Sequence, residues 1–338
     1  MATKFFTLQD GSVAKLFTLV GEGGMIAQIS DFGGVIVNLL VPDRYGRLTD
    51  ISLGFNRAEQ YDGPGPYFGA MVGRYANRIG KSKFMFEGQE INVFANEGEN
   101  SLHGGKSYAY RLWDAKQTSP SKLELSIFSP DGDAGYPGNL QVKVVYEVMP
   151  DNTLAIDMSA TTDAPTVVNL TNHCYFNLSG ECAGPILDHD IAVYAESYQE
   201  VGAGLIPTGK LIPVDGTGYD LRKLTLFSDA LKKVPEGFDN SFVIPGNGMR
   251  LMATAVSRST GIRLDVFGTD HAVQFYSGSA LNAEHNGKHN YNYPNFAGFC
   301  FETQNLIDAV NHPDFPSAKL EPGQTYSQKI CYKLSVED

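Results

Sequence analysis

The chain has 338 residues, 42% of them hydrophobic, and a formal net charge of −12 at pH 7. This length suffices for a large core, and the acidic charge argues against nucleic acid and anionic membranes as partners, because both bind basic surfaces. No apolar run approaches the length of a membrane span, and the N-terminal residues lack the pattern of a signal peptide, so we expect a cytoplasmic protein.

The first polar segment along the chain is a glycine-bounded turn, residues 73–80, which holds Arg74, Asn77 and Arg78. Arginine presents a rigid fork of donors that suits hydroxyls or a carboxylate. Taken by itself, however, the turn is more typical of a surface loop with solvated arginines.

A second polar segment, residues 100–105, places His103 before two glycines, where the backbone can approach a ligand closely. The glycine spacing is not that of a phosphate-binding loop. A histidine in such a loop is more often a hydrogen-bonded structural residue than a functional one.

Most of the remaining chain alternates apolar and polar residues with a period of two, as in residues 122–127, 140–149, 154–159 and 330–336. This period predicts half-buried strands, and clusters of Pro, Gly, Asp and Asn between them predict turns. Helical periodicity is weak, and only residues 221–231 could hold one short helix. We therefore predict an all-β protein, a large antiparallel β-sandwich with very little helix, in which residues 1–338 form a single domain.

One predicted strand, within residues 171–178, contains a histidine. Alternation puts Thr171, His173 and Tyr175 on one face, so that His173 would lie between a hydroxyl and an aromatic ring. This arrangement suits a proton donor beside a stacking wall for a sugar ring, although a core histidine bonded to a carbonyl fits equally well. Cys174 should point to the opposite face, which argues against a thiol nucleophile paired with His173.

A long Asn-rich loop, residues 283–297, leads into a predicted strand that carries a glutamate. In that strand Cys300, Glu302 and Gln304 share one face, and two phenylalanines lie on the other. Burying a carboxylate is costly unless it is paired or used, and burial raises its pKa toward that of a working general base. Glu302 is therefore a candidate base, and a structural glutamate bonded to an arginine or a backbone amide is the alternative.

The sequence offers no convincing metal site. His285 and His289 have a spacing that would suit a helix, but Gly287 and the neighbouring asparagines disfavour one. The cysteines form no C-x-x-C pair, so we expect free buried thiols at all four positions: Cys174, Cys182, Cys300 and Cys331.

Taken together, these segments resemble the aldose 1-epimerase (galactose mutarotase) family. The matching motifs are GRYANRI at 73–79, NSLHGG at 100–105, TNHCYFNL at 171–178, GFD at 237–239, VQFY at 273–276 and GFCFETQ at 298–304. Each motif is short, but six of them in the same order across the chain are highly specific.

The resemblance implies a β-sandwich with a sugar in a cleft across it and no metal or organic cofactor. It implies that the protein interconverts the α and β anomers of free aldohexoses such as galactose and glucose, with Glu302 as the general base and His173 as the general acid. It also implies a polar set of sugar-binding residues, beside the stacking wall of Tyr175: Asn77, Arg78, His103, Asp239 and Gln274.

The implied chemistry explains why two different titrating groups are needed. A base removes the proton of the C1 hydroxyl while an acid protonates the ring oxygen, and the same pair recloses the ring after rotation about C1–C2. A glutamate whose pKa is raised by burial and a histidine can do this near neutral pH.

Other functions stay open. Asp239 and Glu302 could be the paired carboxylates of a glycoside hydrolase, and the same fold could serve as a non-catalytic sugar-binding domain. A hexose 6-phosphate epimerase would need additional basic residues in the cleft. We expect a free monosaccharide as substrate, no nucleic-acid or membrane partner, and a monomer or weak homodimer. The unusual composition of the 283–297 loop leaves the preferred sugar open.

Overall fold

The computed structural model describes residues 2–63, 65–106, 108–284 and 286–337. Within these ranges the chain folds mainly into strands, joined by turns and short 3₁₀ segments. The α-helix content of the described residues is one turn, α1 (Phe227–Ala230). None of the helical segments in these ranges has the length and apolar content needed to cross a bilayer.

Strands follow one another along the whole chain. In the first third they are β1 (Ala2–Thr7), β2 (Val13–Val20), β3 (Ile26–Ser30), β4 (Ile36–Pro42), β5 (Leu48–Asp50), β6 (Ala70–Val72), β7 (Arg78–Ile79), β8 (Lys83–Phe86), β9 (Gln89–Asn92) and β10 (Ser101–Leu102). In the middle third they are β11 (Asp114–Ser119), β12 (Lys122–Ser129), β13 (Leu140–Val148), β14 (Thr153–Thr162), β15 (Thr166–Val167), β16 (Thr171–His173), β17 (Tyr175–Phe176), β18 (His189–Val193), β19 (Ser197–Val201) and β20 (Pro207–Pro213). In the last third they are β21 (Thr225–Leu226), β22 (Asp239–Val243), β23 (Arg250–Ser257), β24 (Ile262–Gly268), β25 (Ala272–Tyr276), β26 (Phe299–Gln304), β27 (Lys319–Leu320) and β28 (Tyr326–Val336).

Three sheets contain most of these strands. Strands β1 to β5 form a five-stranded meander in sequence order. A nine-stranded sheet has the order β11-β12-β13-β14-β28-β24-β23-β18-β21, and a six-stranded sheet has the order β17-β26-β25-β22-β19-β20. Neighbouring strands in the sheets pair antiparallel, which confirms the predicted all-β antiparallel architecture.

The largest cluster of buried apolar side chains joins the two large sheets. Val144 and Ile156 enter it from the nine-stranded sheet, and Phe275 and Phe301 enter it from the six-stranded sheet. Burial of the two apolar sheet faces against each other is the main favourable contribution to folding in such a sandwich.

The period-two segments lie where the sequence places them. Buried and more exposed residues alternate along β12 and β13, as expected for strands with one face toward a core. The helix predicted within residues 221–231 is only the single turn α1, because Thr225 and Leu226 form the short strand β21 against β18 instead.

The six-stranded sheet places the polar residues on the face opposite the core. In β26 the phenylalanines point into the apolar cluster, so Cys300 and Glu302 point to the other side. Glu302 pairs with Gln274 of β25 across the ladder, and Cys300 pairs with Tyr175 of β17. A sheet of regular register thus brings distant parts of the sequence onto one surface.

Candidate active site

A cavity of about 670 Å³ opens on this polar face of the six-stranded sheet. Seven of the eight predicted site residues line it: Asn77, Arg78, His103, His173, Tyr175, Asp239 and Glu302. They come from the turn that enters β7, the loop after β10, the continuous stretch of β16 and β17, β22 and β26, so the fold brings together five separate segments.

Glu302 is the most deeply buried acid of the cavity, and its side chain is 2% exposed. Burial raises the pKa of its carboxyl well above 4.5, the nearby charge of Asp239 raises it further, and Arg78 opposes the shift. Its Oε2 atom has no hydrogen-bond partner among the described residues. A buried acid of this kind, aimed into a cavity, has the properties of a proton-transfer group rather than of a structural ion pair.

His173 lies beside Glu302, with Nε2 3.7 Å from Oε1 of the carboxyl group. Its ring is nearly parallel to that of Tyr175, with centroids 5.0 Å apart, which agrees with the prediction that the two residues share a face. The hydroxyl of Thr171 donates to the carbonyl of Thr303. Burial lowers the pKa of His173 to about 4. The imidazole is therefore neutral near neutral pH in the substrate-free protein.

His103 is both a hydrogen-bonded structural residue and a residue of the cavity wall. Its ring Nδ1 accepts the backbone N–H of Asn77 at 3.2 Å, and the backbone N–H of His103 donates to the carbonyl of Asn77 at 2.9 Å. The ring lies 5.1 Å from that of His173, and its pKa is lowered well below 6.5 by burial and by the charges of His173 and Arg78. With Nδ1 occupied, Nε2 is the nitrogen that remains for a ligand.

The glycine after His103 serves the packing of two loops rather than a ligand. Gly104 has φ +80°, and a Cβ atom there would overlap the backbone of Gly73 and Arg74. The predicted close approach of backbone is thus real, but its partner is the 73–80 turn.

The prediction of solvated arginines in the 73–80 turn is wrong, because both are buried. The guanidinium of Arg74 donates to surrounding carbonyl and hydroxyl oxygens, including those of Ser129 and Thr166, and so holds loops together. Arg78 lines the cavity, and its Nε and Nη2 each donate to Glu97 at 2.8 Å. Neighbouring loops cover the turn, which the local sequence does not show.

Asp239 and Gln274 form a hydrogen-bonded pair at the end of β22 and in β25. Nε2 of Gln274 donates to Oδ1 of Asp239 at 2.6 Å. Burial raises the pKa of Asp239, and Arg78 lowers it. Gln274 does not line the cavity, so it lies behind Asp239, and its predicted direct contact with the sugar stays a prediction.

Several aromatic residues of the cavity wall were missed by the sequence analysis: Tyr67, Tyr219, Phe238 and Tyr276. Tyr276 could have been found, because it follows Gln274 by two residues in a period-two strand. Tyr67 has φ +61° in a segment rich in Gly and Pro, and its ring is 4.7 Å from that of His103. No local pattern connects Tyr67 with a histidine 36 residues away.

Two histidines and a glutamate of the site are also residue types that bind metal ions. Ligand atoms of His103, His173 and Glu302 lie within 4.8 Å of one another, the one such group in the part of the chain that the structure describes. Of the two histidines that the sequence disfavours as metal ligands, His289 is 82% exposed and lies 3.4 Å from Glu181, while His285 is outside the described residues. The absence of a metal from the reaction therefore stays a prediction that needs an experiment.

The four cysteines are free, as predicted. Cys174 and Cys300 are buried, whereas Cys182 and Cys331 are partly exposed, which corrects the expectation that all four would be buried. Cys174 belongs to the apolar core cluster and does not face the cavity.

Comparisons with known proteins find one family along most of the chain. The model of the aldose 1-epimerase family matches residues 15–333. Galactose mutarotase from Bos taurus is 42% identical over 311 residues, which cover 91% of this chain and 90% of the relative. Aldose 1-epimerase from Escherichia coli (strain K12) is 33% identical and covered to 97% on both sides.

Solved structures show the same fold. An aldose epimerase homologue from C. elegans superimposes with a TM-score of 0.91 at 29% identity, covering 96% of this chain and all of that one. A galactose 1-epimerase from Lactobacillus acidophilus NCFM superimposes with a TM-score of 0.87 at 25% identity, covering 100% of this chain and 99% of that one.

Proposed function

This chain belongs to the aldose 1-epimerase family, and we propose on that basis that it interconverts the α and β anomers of free aldohexoses, with galactose and glucose as the first sugars to test. The observation that carries the proposal is the buried pair of Glu302 and His173, an acid and an imidazole 3.7 Å apart in a cavity. Such a pair can remove one proton from a sugar while it delivers another.

In the proposed reaction the proton that the pair shares lies on His173, and the carboxylate of Glu302 takes the proton of the C1 hydroxyl. The C1–O5 bond then breaks with its electron pair moving to O5, which receives a proton from Nε2 of His173. Rotation about C1–C2 presents the other face of the aldehyde. The same steps in reverse close the ring, so both side chains return to their starting protonation states and no other reactant is consumed.

The remaining polar residues supply binding and electrostatic stabilisation in this proposal. Arg78 lies close enough to Glu302 to lower its pKa, and the ring of His103 lies 5.1 Å from that of His173, so both residues can stabilise charge that develops on the ring oxygens. Asp239, held by Gln274, orients hydroxyl groups of the sugar. Tyr175 lines the cavity with its ring beside that of His173, and in this proposal it is the wall against which a sugar ring packs.

Polarimetry of freshly dissolved α-D-galactose and α-D-glucose tests the proposal. The protein should accelerate the approach to the anomeric equilibrium without changing the equilibrium, and Glu302→Gln should abolish most of the acceleration. Release of a monosaccharide from an oligosaccharide at a catalytic rate would favour the hydrolase with Asp239 and Glu302. Binding of sugars without acceleration of any aldose would favour a non-catalytic sugar-binding domain.

We also propose that residues 1–338 form one domain, supported by a core cluster that includes residues from Phe17 to Leu334. We propose a cytoplasmic location, a monomeric or weakly dimeric state, and no nucleic-acid or membrane partner, supported by the net charge of −12.

A further inference from the structure

Both ring nitrogens of His173 are close to side chains of the same strand. Nε2 lies 3.7 Å from Oε1 of Glu302, and Nδ1 lies 3.5 Å from Sγ of Cys300. Cys300 and Glu302 are two residues apart in β26, so they project from one face of the strand. The strand that supplies the proposed base therefore also supplies a partner for the far nitrogen of the proposed acid.

We propose that Cys300 is a positioning residue, whose thiol hydrogen-bonds Nδ1 of His173 and thereby keeps Nε2 directed at Glu302 and the sugar. The proposal rests on the proposed function of His173 as the acid. Cys300 does not line the cavity and is fully buried, so it acts through His173 and not on the sugar.

A thiol suits this position because it can serve both protonation states of the ring. Burial raises the pKa of Cys300 well above 9, and the charge of Glu302 raises it further, so the sulfur keeps its proton. The S–H group donates to Nδ1 when the neutral ring carries its proton on Nε2. In the imidazolium ion that donates to the sugar, Nδ1 carries a second proton and the sulfur accepts this N–H as a weak acceptor. That proton stays on Nδ1 after Nε2 has given its own proton to the sugar, so the same contact holds in the neutral product ring.

The neutrality of the thiol also matters. A carboxylate at this position would favour the imidazolium ion and raise the pKa of His173. The carbonyl oxygen of His173 also favours the protonated ring, but it already accepts the N–H of Gly69 at 3.0 Å. Cys300 is thus the side chain that can pair with Nδ1 without fixing a charge on the ring.

The chain offers a matched control in Cys174. It follows His173 directly, is 1% exposed, and packs in the apolar core. Its Sγ lies 3.9 Å from the carbonyl oxygen of Tyr175 rather than near the imidazole. Replacing either cysteine with alanine removes one buried thiol, but only Cys300→Ala removes a partner of His173.

Infrared spectroscopy of the substrate-free protein tests the contact without any turnover. The S–H stretching band of Cys300 is isolated as the difference between the wild type and Cys300→Ser. We expect this band to shift in His173→Phe, which keeps a flat ring beside Tyr175 but has no nitrogen, and the band of Cys174 to stay in place. An unshifted Cys300 band would overturn the proposal, whatever the enzyme catalyses.

Kinetics then tests the consequence. Cys300→Ala should lower kcat by roughly 10-fold, the lower end of the range for partners that orient metal-ligating histidines, with KM within about twofold. Cys300→Ser should recover most of kcat, because its hydroxyl both donates and accepts. Cys174→Ala should leave kcat unchanged. Equal kcat in Cys300→Ala and Cys174→Ala would overturn the proposal. If Cys300→Ala does not fold, the S–H band of the wild type and the kcat of Cys300→Ser still decide.

Discussion

Nε2 of His173 lies 3.7 Å from Oε1 of Glu302, and the two side chains are 6% and 2% exposed. Burial shifts their pKa values in opposite directions, to about 4 for His173 and well above 4.5 for Glu302. Between these values the pair holds one proton, and in the free protein that proton resides on Glu302. Ring opening requires it on His173, so binding of the sugar must favour transfer across this gap.

The pH dependence of kcat/KM follows from the proton count of the pair. The active form carries one proton, so we expect a bell-shaped profile whose limbs belong to the coupled pair. The acid limb, near pH 4, corresponds to protonation of His173 while Glu302 keeps its proton. The alkaline limb corresponds to loss of the proton from Glu302, the reverse of the order shown by isolated carboxyl and imidazole groups.

Stopped-flow polarimetry across pH 3.5 to 9 measures this profile. Glu302→Gln should lose the alkaline limb and retain the acid limb, provided that its residual rate is measurable. A variant that lost the acid limb instead would show that Glu302 titrates below His173 when sugar is absent.

Glu302→Gln should also separate activity from stability. The rate should fall by about 10² or more, because the amide cannot take a proton. The native pKa of Glu302 is raised, so between pH 4.5 and that pKa the folded protein binds more protons than the unfolded chain, and wild-type stability falls as pH rises. Glu302→Gln lacks this pH-dependent loss of stability, so its melting temperature should exceed that of the wild type by a margin that grows above pH 4.5.

Thermal unfolding at pH 4 and pH 7 measures this margin. A variant that was less stable than the wild type at pH 7, with its rate unchanged, would return Glu302 to a purely structural role.

The two histidines should differ in their kinetic effects. His173→Asn should lower kcat by roughly 10²- to 10⁴-fold, the range for one positioned proton transfer, while sugar still binds. His103→Asn should raise KM and lower kcat together, because His103 is fixed to the backbone of Asn77 and lies beside the reacting pair. Steady-state polarimetry with isothermal titration of the sugar checks both, and the opposite pattern would exchange the two roles.

Much of the site follows from alternation in single strands. The sequence places Glu302 and Cys300 on one face of their strand and the phenylalanines on the other, and the structure agrees. It also places His173 beside Tyr175. These predictions succeed because a period of two depends only on local backbone geometry.

Features that depend on packing between distant segments could not be predicted. Burial of Arg74 is set by loops around residues 129–138 and 166, and the contact of Cys300 with His173 joins residues 127 positions apart. Cys174 is adjacent to His173 in the sequence but faces the core, whereas the thiol that contacts the imidazole, that of Cys300, is adjacent only in the folded sheet. The role of Gln274 behind Asp239 likewise depends on a cross-strand pair.

Chelation tests the role of the histidines as proton carriers. Dialysis against EDTA should leave the rate of anomer exchange unchanged, because the proposed steps use only side-chain proton transfers. A rate lost on chelation and restored by added Zn²⁺ would show instead that His103, His173 and Glu302 hold a metal, as their composition allows.

The ion pair of Arg78 with Glu97 should govern sugar binding. Both donors of Arg78 that contact Glu97 do so at 2.8 Å, which fixes the plane of the guanidinium at the cavity wall. Glu97→Gln keeps the shape of the side chain but weakens its hydrogen bonds with Arg78, so we expect KM to rise roughly tenfold, equivalent to about 1.4 kcal/mol, with a smaller change in kcat.

The matched control is Glu90→Gln, which breaks the exposed pair with Lys83 and should leave both constants unchanged. Polarimetric initial rates over a range of galactose concentrations give the two constants. An unchanged KM in Glu97→Gln would mean that the cavity wall alone orients Arg78, and that its contact with Glu97 only contributes to the stability of the loop.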